Sequence, residues 1–145
     1  MSVAPCGFSE YLELGDELTA RKAVMVYRQY RREVQAAGGL CDWHAVASGS
    51  AVWIYDGQCC NTRQVVEYVH RVAERLRLTG KWGMSWADLN RGIKAGQIFG
   101  GAVRLELGRR GSEQWIDSRD YIRKNADGDW QFSWTGTADL ANATS

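Results

Sequence analysis

The stretch LCDWHAVASGSAVWIYDGQCCNTRQ, residues 40–64, decides the fold. Leu40 to Ala47 and Ala51 to Asp56 both favour strand, and Ser48-Gly49-Ser50 between them reads as a short hairpin loop. Asp56-Gly57 closes the second strand with a turn. Asn61 then offers a helix N-cap, and Gln64 three residues on predicts a capping box. A hairpin running straight into a helix points to an antiparallel sheet with helices laid against it.

Working outward, Val65, Val69, Val72, Ala73 and Leu76 make the apolar stripe of that helix, Glu67 and Arg71 make a charge pair, and Gly80 is the stop signal. Upstream, Asp16 is a second N-cap. Ala20, Ala23, Tyr27, Tyr30, Val34 and Ala37 follow at alternating spacings of three and four, and Gly38-Gly39 ends the helix. Residues 1–15 read as a short strand or lead-in. Downstream, Trp82, Met84 and Trp86 alternate with small residues. Residues 88–101, with Gly92, Gly96, Gly100 and Gly101, read as a long loop. Val103, Leu105 and Leu107 predict another strand, and Gly108 to Gly111 turns into one around Gln114 to Asp117. Asp127-Gly128 turns into the alternation Trp130, Phe132, Trp134. The expected fold is α+β: two amphipathic helices packed on one face of a mainly antiparallel β-sheet, in the order (β)αββαββββ. It forms one domain over 1–135, with 136–145 as a flexible C-terminal tail.

Composition narrows the function classes. The chain has 145 residues, 45% hydrophobic and 24% charged, so it carries enough apolar surface for one core. A net charge of +1 gives no general footprint for nucleic acid or membrane. The N-terminus lacks the basic and apolar segments of a signal peptide, and no apolar run reaches the roughly 20 residues that span a bilayer. The expectation is a cytoplasmic protein whose four cysteines are reduced thiols. No cofactor is expected. Seven tryptophans are many for one small core, so some are expected at a contact surface.

Three constellations compete. Cys41, His44, Cys59 and Cys60 lie in or beside the hairpin, but Cys41 and His44 are three residues apart and so point to opposite strand faces, which argues against a four-ligand zinc site. Cys60 would sit at a helix N-terminus, where a thiol becomes more acidic, yet neither histidine is an obvious base for it. Arg21, Arg28 and Arg32 fall on one arc of the first helix and could meet phosphates or an acidic protein surface. The second helix adds Arg63, Arg71, Arg75 and Arg77. Trp82, Trp86, Trp130 and Trp134 are candidate contact residues, although period-two alternation is what a half-buried strand shows and favours core for them. Asn125 to Asp129 lacks the terminal glutamate of a calcium loop, and Gly96 to Gly101 lacks the lysine of a phosphate loop.

No catalytic constellation survives this inspection. The sequence therefore favours a small non-enzymatic binding or regulatory protein, such as an inhibitor encoded by a mobile element. Its partner would be another protein, with a second copy of the chain as a further candidate and nucleic acid as the alternative. A thiol or zinc enzyme built on the cysteine hairpin is the third reading.

Overall fold

The computed structural model describes residues 6–56, 61–88, 99–116, 136–137 and 139–140. Strand β1 (Cys6–Glu13) leads into helix α1 (Glu17–Ala36), then β2 (His44–Ser48), β3 (Ala51–Asp56) and helix α2 (Thr62–Leu76). The chain continues through β4 (Leu78–Thr79), β5 (Lys81–Asp88), β6 (Phe99–Glu106), β7 (Gln114–Ile116), β8 (Gly136–Thr137) and β9 (Asp139–Leu140). The expected α+β class holds, and the element order follows the expected one closely.

The main sheet runs β2-β3-β1-β5-β6-β7, antiparallel along this path, and β8 joins β1 in parallel. The lead-in is thus a central strand. β1 pairs with β3 over its length from Phe8 to Glu13, but with β5 only at Cys6 and Gly7. Where β1 and β5 part, side chains span the gap: the Ser85 amide donates to Glu10 Oε1 (3.1 Å) and the Trp82 indole to the Tyr11 carbonyl (3.2 Å). Burial pushes the Glu10 carboxyl above its ordinary value, against the lowering effect of the Ser85 amide.

Register assigns the two faces. Phe8, Leu12, Val52, Ile54, Ala45, Trp82, Met84, Val103 and Leu105 share the face under the helices and are buried. Trp86 lies across from Gly101, where a Cβ would come within 2.5 Å of its ring, so only glycine fits. Trp82 is fully buried in this core, and partly buried Trp86 packs against it. Trp130, Trp134 and the Asp127-Gly128 turn lie outside the described residues.

The caps explain the helix limits. Asp16 accepts from the Thr19 amide (2.7 Å) and opens α1. At its end the Gly39 amide reaches the Val34 carbonyl and the Gly38 amide the Gln35 carbonyl, with Gly38 at φ +85°, the paired-bond cap that glycine makes possible. Asn61 caps α2 through the Gln64 amide, but the reciprocal half of the expected box does not form. Gln64 instead accepts from the Trp43 indole (3.0 Å) and donates to the Leu40 carbonyl (2.9 Å). α2 ends at Leu76, four residues before Gly80, with Arg77 as its left-handed cap.

Three strand limits differ from expectation. Residues 40–43 are not strand, because Trp43 turns inward and takes Tyr27 on its carbonyl (2.5 Å). The glycine-rich stretch is shorter than expected: Gly100 and Gly101 are already in β6. The expected tail contributes β8 and β9, paired with β1 and β4.

Candidate functional site

Trp43 is the wedge that positions the site. It is fully buried, with Tyr27 at 5.0 Å, Tyr68 at 5.4 Å and Tyr30 at 6.3 Å between ring centroids. Tyr27 and Tyr30 come from α1 and Tyr68 from α2, whose hydroxyl donates to the Ala23 carbonyl (2.7 Å). Burial pushes the Tyr27 hydroxyl up to about 12, so it stays a donor at any physiological pH. This aromatic cluster fixes α1 beside β2, and a groove of about 570 Å³ remains between them.

The floor of the groove is apolar, made by Val24, Met25, Tyr27 and Ala45 to Ala47, and Arg21, Arg28 and Arg31 stand around it. Leu18, Arg21, Met25, Arg28 and Arg32 recur at spacings of three and four, so they form the outward stripe of α1. Leu18 and Met25 are 63% and 65% exposed. Among the described residues Arg28 and Arg32 have no ion-pair partner. Arg21 meets only Glu17, in a solvent-exposed contact of 3.3 Å, and Arg31 touches the Tyr27 hydroxyl at 3.4 Å.

The other face of the same sheet end carries a row of rings. His44 lies 5.2 Å from Tyr55, Tyr55 4.0 Å from Trp53, and Trp53 6.2 Å from Tyr11. The Trp53 indole donates to Ser9 Oγ (2.7 Å), which fixes the ring against the sheet. Register puts Ser9, Tyr11, Trp53, Tyr55, His44 and Val46 on this face, opposite the helices. Val46 also lines the groove, so β2 joins the two surfaces along one edge.

Of the residues expected at a site, Arg21, Arg28 and Arg32 share the outward stripe of α1; Arg21 and Arg28 also line the groove, where Arg31 and not Arg32 is the third arginine. Cys41 and His44 are not brought together. Cys41 is buried and its thiol pushed above the ordinary value by that burial, whereas His44 is exposed on the opposite face. Among the described residues no three metal-ligating side chains cluster. Cys59 and Cys60 lie outside the described residues. The residues that the sequence reading missed are Leu18, Met25, Val46, Trp53, Tyr55 and Tyr11. Their signal was present: Ala51 to Asp56 is apolar at both parities, so this strand puts large rings on both faces. Compared with protein-family models, with curated proteins and with solved structures, the chain matches none.

Proposed function

We propose that this protein is a small non-enzymatic binding or regulatory module that acts through protein–protein contacts, centred on the α1–β2 end. One observation carries the reading. Among the described residues, the exposed large hydrophobic side chains are Tyr11, Leu18, Met25, Leu40 and Val46, all within the β1–α1–β2 segment. Monomeric surfaces scatter such residues singly; their concentration beside arginines and aromatic rings is what an interface core requires. The buried Cys41 thiol, held above its ordinary value by that burial, is not the accessible, acidified thiol a nucleophile needs; Cys60, the thiol expected at the helix N-terminus, lies outside the described residues. A reduced, cytoplasmic setting fits a free buried cysteine, and no helix among the described residues is long and apolar enough to cross a membrane.

A photoreactive side chain placed at Met25 tests this in the source cells, with one at exposed Arg109 as the reference. The expected result is a discrete protein adduct from position 25 alone. Equal labelling from both positions removes the assignment. Nucleic acid that co-purifies and is released by salt, with no protein adduct, favours the alternative in which Arg21, Arg28 and Arg32 meet phosphates.

A further inference from the structure

Resting on that reading, we propose that β2 takes an extended acidic segment of the partner as an added strand, with alternate carboxylates on Arg21, Arg28 and Arg31. The first support is the edge itself. Among the described residues β2 pairs only with β3, and four of its five positions are exposed. Natural edges are guarded by lysine, proline or a bulge. His44 to Ser48 has none of these, and its register with β3 runs without interruption.

The turn sets the phase. Ser48 and Ala51 flank a two-residue loop in which Gly49 has φ +61° and Ser50 does not have a positive φ, the primed turn with glycine in its first position. Ser48 and Ala51 then form a hydrogen-bonded pair, and so, by alternation, do Val46 with Trp53 and His44 with Tyr55. The N–H and C=O groups of Ala45 and Ala47 therefore point away from β3, toward a strand not yet there. Such a strand would aim alternate side chains into the arginine-rimmed groove, and the rest onto the face of Val46 and His44.

Charge selects the occupant. The groove presents Arg21, Arg28 and Arg31 without a buried acid of its own, which suits carboxylates. A second copy fits poorly. Antiparallel self-pairing of β2 about a two-fold axis would bring both arginine sets onto one side of the same sheet, where they repel. The ligand class is thus an extended segment alternating acidic and apolar residues.

The test uses the full chain and end-blocked peptides of about eight residues, one alternating Glu and Val, one alternating Lys and Val, followed by fluorescence anisotropy. The Glu peptide is expected to bind at least about tenfold tighter than the Lys peptide, and less tightly as salt rises. Arg28→Glu should cost about tenfold or more. Ala47→Pro removes an outward donor and should abolish binding. Because proline could unsettle the hairpin, N-methylated Glu peptides provide a control that leaves the protein intact: methylation of one alternate set of amides should abolish binding, and of the other set spare it. Binding that tolerates both methylated sets, or does not distinguish Glu from Lys, overturns the added strand. So does a native mass showing dimers dissociated by Ala47→Pro, since a second copy then occupies the edge. If the Glu peptide fails to bind but position 25 still gives its protein adduct, only the strand inference falls. If both fail, the binding function falls with it.

Discussion

Two surfaces of this molecule are rich in arginine, and they are built in opposite ways. On the α2 side Arg63, Arg71, Arg75 and Arg110 each have a partner within the fold. Arg110, from the β6–β7 turn, puts Nε 2.6 Å from Glu74 and Nη2 2.7 Å from Glu67. Arg71 reaches Glu33 on α1 at 2.7 Å and lies over the Tyr30 ring, Arg75 donates to Gln29, and Arg63 covers Trp115. On the α1–β2 side, Arg28 and Arg32 face solvent beside exposed Met25 and have no acid among the described residues. The first arrangement ties α1, α2 and the β6–β7 turn together. The second does nothing for the fold that the structure reveals, so its arginines remain available for a partner. Composition cannot tell these apart, because an arginine already held by two glutamates and a free one count equally.

The largest effect on this contrast comes from removing what both sides share. Trp43→Ala deletes the ring that holds α1, α2 and the chain before β2 in one cluster, and it leaves Gln64 Oε1 without its indole donor. The expected cost is about 3–5 kcal/mol in chemical denaturation, and binding and folding should be lost together. A variant that lost peptide binding but kept its stability would mean that Trp43 acts at the groove alone.

A smaller effect separates the surfaces. Arg110→Ala should cost about 1 kcal/mol, since the fork onto Glu74 is good but its partners are close to half exposed. The loss should shrink as salt is raised, and peptide binding at β2 should not change. The same surface predicts a pH dependence. Bonding to Arg110 holds the Glu74 carboxyl below its ordinary value of 4.5. Burial works against Glu113, yet its backbone amide bonds and the contact with His70 (2.9 Å) outweigh it, so that carboxyl is also lowered. A carboxylate with a lowered folded value contributes stability that is present above the unfolded value and lost as pH falls through the folded one. Acid titration below about 4.5 should therefore weaken the α2 side, and Glu74→Gln should flatten that part of the curve. A curve unchanged by Glu74→Gln would show that these ion pairs are as unimportant to stability as exposed ones usually are.

Local signals were legible where one residue decides one feature. Asp16, Asn61, Gly38 and the Ser48–Ser50 turn each fixed a helix end or a hairpin, and the apolar stripes of both helices packed as their spacing implied. What escaped was decided by tertiary choice. Gln64 had a cap to complete but found the Trp43 indole instead. β1 reads as a weak lead-in, because Ser9, Tyr11 and Glu13 face outward while Phe8 and Leu12 face the core; its central place depends on β3 and β5 seeking a common neighbour. Trp53 and Tyr55 carry no sign of facing away from the helices until register is known. The arginine arc of α1 was visible from spacing alone, but its freedom from acids depends on where Glu33, Glu67 and Glu74 are spent.

The smallest expected change in stability is the sharpest test of the contrast. Arg28 makes no ion pair among the described residues and stands beside Arg21, Arg31 and Arg32, so removing its charge breaks nothing and relieves some like-charge repulsion. Arg28→Gln should leave the unfolding free energy within about 0.5 kcal/mol of the parent. Its effect should be confined to the acidic peptide, whose affinity should fall while the residual salt dependence becomes shallower. Set beside Arg110→Ala, this gives two arginine deletions with opposite signatures: one costs stability and spares binding, the other spares stability and costs binding. If Arg28→Gln destabilised the fold as much as Arg110→Ala, the α1 arginines would be structural after all, and the two surfaces would differ only in which glutamates they use.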